Sequence, residues 1–232
     1  MLINTVFFDL YQTLITYKPS REDWESEVLN ELGIKMPAKA FRRAFNAADE
    51  YFYNENARLP LSKRAPDEIN RVYAKHQSIV LKEGGVEPAP DLVRSILLRW
   101  QNTKFNHVLF DDVLPALNEL RRRDIALGLV SNVDKDITPM LDDLGLSPFL
   151  TTVVTSRETG FTKPHPEIFQ EALRRSNSAA DNSIFVGDQF QIDVQGASAV
   201  GMKAVLIDRG GFSEAPRDCL QISSLPQVTA YL

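Results

Sequence analysis

The sequence predicts an α/β fold, a doubly wound parallel sheet with an all-helical insert after its first strand. Short β-branched and aromatic runs recur along the chain. From residue 107 onward, helical patterns separate those runs in strict alternation. A long stretch with no strand pattern, broken by prolines, follows the first run.

Leu2 to Phe8 is mostly apolar and reads as a strand buried on both faces. Ala126 to Val130, Thr151 to Thr155, Ser183 to Val186 and Ala204 to Ile207 have the same character. Helical patterns lie between them over Val113 to Arg123, Ile137 to Leu144, Pro166 to Arg175 and Asp193 to Val200. Such alternation implies parallel strands joined by helical crossovers. From Tyr17 to Asn106 no strand is expected. Trp24 to Leu32, Ala38 to Tyr53, Pro66 to Leu81 and Pro90 to Trp100 suit amphipathic helices. Pro19, Pro37, Pro60, Pro66, Pro88 and Pro90 punctuate them. The expected division is a core of residues 1–16 and 107–232, with a helical domain at 17–106.

The chain has 232 residues, 44% hydrophobic and 25% charged, which is ordinary for a globular protein with a buried core. Its formal charge is -5, from 26 Lys+Arg against 31 Asp+Glu. That balance argues against nucleic-acid binding, which requires a basic patch. The run Arg121 to Arg123 ends an amphipathic helix, where cations oppose the helix dipole. Cys219 is the single cysteine, so no internal disulfide is expected. The N-terminus lacks a secretory pattern, and no apolar run approaches the roughly 18 residues of a membrane span. The expectation is a cytoplasmic protein with a small-molecule ligand and neither nucleic-acid nor membrane partners. Its oligomeric state is left open.

Ligands of open parallel sheets bind beyond the carboxyl ends of the strands. Asp9, Tyr11 and Thr13 follow the first strand, and Ser131-Asn132 follow the second. Lys163 sits in a Lys-Pro-His-Pro segment before a helix. Gly187-Asp188 follow the fourth strand, with Asp193 five residues later. Each signal alone reads as a turn, an N-cap or a solvated lysine. Together they recur at the mouth of one sheet, around one helical insert. If they meet, Asp9, Asp188 and Asp193 bring three negative charges and Lys163 returns one. Packed carboxylates repel one another, and a hard divalent cation with oxygen ligands relieves that repulsion.

This set resembles the haloacid dehalogenase superfamily of hydrolases over residues 1–14 and roughly 107–211. The insert is similar to that family's helical cap in position and helix content. The resemblance implies a Rossmann-like core with Asp9 as nucleophile, forming an aspartyl intermediate. Tyr11 would occupy the position of the usual acid-base carboxylate. Thr13 would buttress the loop on the substrate side, and Ser131 with Asn132 would bind the phosphoryl or leaving group. Lys163 would orient Asp9 and neutralise developing charge. Asp188 would hold Mg2+ with Asp193 in support, and the Asp9 carboxylate and the Tyr11 carbonyl would complete the metal shell.

Two departures pull the resemblance in different directions. With Tyr11, the first motif looks like that of 2-haloacid dehalogenases, whose halide leaves without a proton. The Asp188/Asp193 loop looks like that of magnesium-dependent phosphatases. The dehalogenases also hold the halide with a cap arginine; a rough register places that position at Phe45, three residues from Arg42. A metal-site carboxylate has fewer substitutes than a proton donor. The expected function is therefore a magnesium-dependent phosphatase for a small phosphorylated metabolite, slowed by Tyr11. The alternatives are a metal-independent 2-haloacid dehalogenase or a catalytically weak phosphate- or partner-binding pseudoenzyme. His165 is expected at the surface, and His76 and His107 lack metal-ligand spacing. Tyr51, Phe52, Tyr53, Trp24 and Trp100 are expected to pack the insert's helices.

Overall fold

A computed structural model describes residues 2–213 and 215–232. In chain order, β1 (Thr5–Phe8) and β2 (Ile15–Lys18) precede α1 (Arg21–Glu31), α2 (Arg42–Arg58), α3 (Pro66–Glu83) and α4 (Pro90–Asn102). Then come β3 (Asn106–Leu109), α5 (Val113–Arg122), β4 (Ala126–Ser131), α6 (Thr138–Asp143), β5 (Thr152–Thr155), α7 (Ser156–Thr159) and α8 (Pro166–Ser176). The chain closes with β6 (Ser183–Gly187), α9 (Gln195–Ala199), β7 (Lys203–Ile207) and β8 (Gln221–Ile222). Two compact units result: Met1–Thr16 with Val108–Leu232, and Tyr17–His107.

The first unit is built on a six-stranded sheet in the order β5-β4-β1-β6-β7-β8, every pair parallel. The central strand, β1, is buried at all four residues. Its alternation places Val6 and Phe8 in one apolar cluster and Phe7 in another, so both faces of the sheet are covered. On one side, α5 buries Val113, Ala116, Leu117 and Leu120, a single helical stripe. On the other, α8 buries Ile168, Phe169 and Ala172. Gly128 in β4 makes room for Phe7: a Cβ there would lie 2.4 Å from the Phe7 ring. From β1 the strand order runs outward in both directions, so the carboxyl ends of β1, β4 and β6 meet at a topological switch point.

In the second unit, Trp24, Phe41, Phe45, Val80, Leu81 and Ile96 lie in the core. The indole of Trp24 donates to Thr103 Oγ1 at 3.0 Å and meets the Trp100 ring edge-on. Among the described residues, no helix is long and apolar enough to cross a membrane.

The structure corrects several local expectations. Ile15–Lys18 and Asn106–Leu109 pair as a separate two-stranded sheet at the ends of the stretch expected to lack strands. Strands of four residues are too short to show a period, and their partners are far apart in sequence. The two residues of β8 lie beyond the last strand read from sequence, for the same reason. The helix expected from Asp193 begins as a π-helical turn, Phe190–Val194; such turns recur at functional sites. Phe45 is core and Arg42 is exposed. A half-buried cation of this unit is Arg21, whose guanidinium lies 4.6 Å from the Phe45 ring centroid. It donates to both Asp49 oxygens, at 2.8 and 2.7 Å. His76, which no motif spacing marks, lies 3.2 Å from Asp49. Burial works to raise the Asp49 pKa, but Arg21 and His76 hold it well below the ordinary value.

Glu25 is 0% exposed. One of its oxygens accepts from Gln77 Nε2 at 2.7 Å, and the other has no partner. Burial pushes its carboxyl up to about 7. Between the ordinary value of 4.5 and about 7, the folded protein keeps a proton that the unfolded chain has lost. Stability therefore falls as pH rises through that window and levels off above it. Glu25→Gln is expected to raise the melting temperature at about pH 8 and to shrink its difference from about pH 5. Thermal melts at the two pH values check this, and an unchanged difference would count against Glu25 as its source.

Candidate active site

All the residues singled out by motif belong to the first unit. Asp9 follows β1 directly, and its N–H donates to the Val186 carbonyl of β6 at 2.9 Å. The chain then turns sharply. Leu14 and Ile15 donate to the Leu10 carbonyl, and Gln12 donates to Ile15. Gln12 takes the left-handed conformation (φ 59°) that closes such a turn. Ser131 ends β4, the strand beside β1, so it lies at the same end of the sheet as Asp9.

Lys163 lies between α7 and α8 and is only 2% exposed. Its ammonium donates to Asp9 Oδ1 at 2.7 Å and to Asp193 Oδ1 at 2.6 Å. Asn132 grips the main chain of Lys163: Nδ2 donates to its carbonyl at 3.0 Å, and Oδ1 accepts from its N–H at 2.7 Å. The Asn132 amide is thus engaged in placing Lys163. Glycine at 196 allows α9 to approach the same loop, since a Cβ there would lie 3.0 Å from Pro164 Cα.

The Gly187-Asp188 loop is equally constrained. Asp193 Oδ2 accepts from the Gln189 N–H at 3.0 Å, and Asp188 Oδ2 accepts from Gln189 Nε2 at 2.9 Å. A Cβ on residue 187 would lie 2.3 Å from Asp193 Cγ, so only glycine fits beside that carboxylate. Asp9, Asp188 and Asp193 each offer an oxygen, and these atoms lie within 4.8 Å of one another.

Burial, and then repulsion from Asp193, push the Asp9 carboxyl up to about 6 against the pull of Lys163. Burial alone would lower Lys163, but Asp193 and Asp9 hold its pKa above the ordinary value. Three carboxylates against one ammonium leave a net charge of -2 in a largely buried cluster. Hard oxygen donors with excess negative charge fit Mg2+, which binds through few carboxylates and keeps ligand positions for water and phosphate. Both Asp193 oxygens are engaged with Lys163 and Gln189, whereas Asp188 is only half buried.

Tyr11 is half-buried, its ring packed on the core cluster and its backbone bridged to Ile15. Thr13 is fully buried, and its hydroxyl has no hydrogen-bond partner. What anchors Thr13 is its carbonyl, which accepts from Arg209 Nη2 at 2.8 Å. Arg209 also donates to Asp112 at 2.9 Å. Neither Arg209 nor Asp112 was singled out from sequence, because no motif spacing marks them. His165 is exposed.

Residues 6–207 match the family model described as haloacid dehalogenase-like hydrolase. The chain is 30% identical over 215 residues to the glyceraldehyde 3-phosphate phosphatase of Methanopyrus kandleri, covering 92% of this chain and 87% of that one. Among solved structures, it is similar to a HAD phosphatase from Thermococcus onnurineus, with a TM-score of 0.57 at 22% identity, covering 99% of this chain and 97% of that one. A 2-haloacid dehalogenase from Pseudomonas syringae pv. Tomato has a TM-score of 0.55 at 23% identity, with the same coverage. At such identities these two likenesses show the fold alone.

Proposed function

Because the chain belongs to the haloacid dehalogenase-like hydrolases, we propose that it is a magnesium-dependent phosphatase acting on a small phosphorylated metabolite through an aspartyl-phosphate on Asp9. The observation that carries this reading is the buried network in which Lys163 bonds Asp9 and Asp193 while Asp188 stands beside them. The phosphatase name of the Methanopyrus relative supports a phosphomonoester of triose-phosphate size.

Lys163 holds Asp9 by Oδ1, and the second oxygen of Asp9 attacks phosphorus. The phosphorus–oxygen bond to the alcohol breaks, and the Tyr11 hydroxyl gives its proton to the leaving alkoxide. Water then attacks the acyl phosphate, releases phosphate and frees Asp9, and its proton returns to Tyr11. Tyrosine, whose hydroxyl ordinarily titrates at about pH 10, holds its proton more tightly than a carboxylic acid, so it is the weaker donor to the leaving alkoxide, and the phenolate it leaves takes the proton from water. Asp193 keeps Lys163 in place, and Asn132 fixes the chain that bears it. Mg2+, held by Asp9, Asp188 and the Tyr11 carbonyl, would neutralise the phosphoryl oxygens.

Tyr11 favours a second reading, 2-haloacid dehalogenation. Asp188 opposes it, because a haloacid carboxylate near Asp9 would face that additional negative charge. With Mg2+, an aryl phosphate is expected to outrun alkyl phosphates. Tyr11→Asp is expected to raise alkyl phosphate turnover by about 10²–10⁴-fold, the usual worth of a well-placed acid-base group. A phosphate-release panel with Mg2+ and with EDTA measures both. No phosphate from wild type or from Tyr11→Asp would sink the phosphatase reading. Halide release from 2-chloropropionate in EDTA would establish the second.

A further inference from the structure

We propose that Arg209 is a positioning residue for the nucleophile. Through Thr13, it ties the turn that carries Asp9 and Tyr11 to Asp112 and the C-terminal segment. The effect on turnover rests on the phosphatase reading above, whereas the effect on the turn does not.

Arg209 follows β7, on the far side of β6 from the nucleophile strand. Its guanidinium is a fork: Nη2 donates to the Thr13 carbonyl at 2.8 Å and Nη1 to Asp112 Oδ2 at 2.9 Å. The side chains of Arg209 and Asp112 are 17% and 21% exposed, so the pair is partly withdrawn from water. The same Asp112 oxygen accepts from the Leu225 N–H at 2.8 Å, so one carboxylate holds both the arginine and the 3-10 turn Leu225–Tyr231. The guanidinium lies 3.9 Å from the Phe110 ring centroid, a cation–π contact. Phe110 in turn donates its N–H to the Leu14 carbonyl at 3.1 Å. Adjacent carbonyls of the nucleophile turn are therefore held by Phe110 and by an arginine stacked on it.

This bracing matters because the Thr13 side chain does not provide it: its hydroxyl is buried with no hydrogen-bond partner. The remaining bonds described within the turn join Leu10, Gln12, Leu14 and Ile15 to one another. They preserve its shape; Val186 and Lys163 fix its start at Asp9, and the Arg209 and Phe110 bonds fix its far end. Arginine suits the task because a planar fork reaches two acceptors at once and stacks on an aromatic ring, whereas lysine is a point charge. A misplacement of about 1 Å at a reacting group can cost on the order of 10²-fold in rate, and Thr13 is four residues from Asp9.

Two variants test this. Arg209→Lys keeps the charge and loses the fork; Arg209→Met loses both. Amide hydrogen exchange is followed at residues 10–15 and, as an internal control, in α8. In both variants, exchange at the turn is expected to accelerate by about tenfold or more relative to α8. With Mg2+ and an aryl phosphate, kcat is expected to fall roughly 10- to 100-fold while KM moves less than about threefold. Lysine should recover melting temperature better than it recovers kcat. Unchanged exchange at the turn, or a rate loss that merely tracks the unfolded fraction, would overturn the proposal. If wild-type protein releases no phosphate at all, the phosphatase reading fails on its own, and the exchange measurement alone decides the role of Arg209.

Discussion

Asp9→Asn is expected to abolish turnover, by on the order of 10⁴-fold or more, and to make the metal-free protein more heat-stable at neutral pH. The two effects share one cause. Asp9 is placed where a carboxylate is chemically useful and electrostatically costly, buried beside Asp193 with its carboxyl pushed up to about 6. From the ordinary value of 3.8 up to about 6, the folded protein retains a proton that the unfolded chain gives up, so stability falls as pH rises through that window. A neutral amide of the same shape escapes that cost while accepting from Lys163 through its oxygen. Melts in EDTA at about pH 8, paired with turnover in Mg2+, check both halves. A variant that is less stable in EDTA and still turns over would contradict the account on both points.

Lys163→Met is expected to be the most damaging single change in the core. It removes the one ammonium bonded to Asp9 and Asp193 and leaves buried carboxylates without their cation. Breaking such a buried network costs about 3–5 kcal/mol. The deficit carries a pH signature. Lysine, with its pKa held above the ordinary value, stays charged throughout the neutral range, so wild type keeps this stabilisation as pH rises. Without it, the carboxylates can relieve their repulsion only by taking up protons. Urea melts are therefore expected to show a larger deficit at about pH 8 than at about pH 5, together with loss of turnover. Equal stability to wild type at both pH values would show that Lys163 does not neutralise the cluster.

Much of this site was legible in the sequence because its parts sit at the ends of strands that announce themselves. Asp9 follows a mostly apolar run, and Gly187-Asp188 follows another. Glycine at 187 is explained by the Asp193 carboxylate beside it. What the sequence hid is contact between residues with no fixed spacing. Asn132 is read from sequence beside Ser131; its amide also grips the main chain of Lys163, thirty-one residues away, which no spacing signals. Arg209 reaches Thr13 across 196 residues, and no periodicity encodes that meeting. In the helical unit, register drew attention to Phe45 and Arg42. The cation that meets Phe45 is Arg21, bonded to Asp49 on another helix and stacked on the phenylalanine itself.

The most direct measurement is a rapid acid quench of the protein mixed with Mg2+ and an aryl phosphate, followed by mass spectrometry of its peptides. One phosphoryl group on the peptide bearing Asp9, formed at least as fast as steady-state turnover and missing from Asp9→Asn, is the predicted result. Phosphate release with Asp9 never labelled, or with the label on another residue, would contradict it.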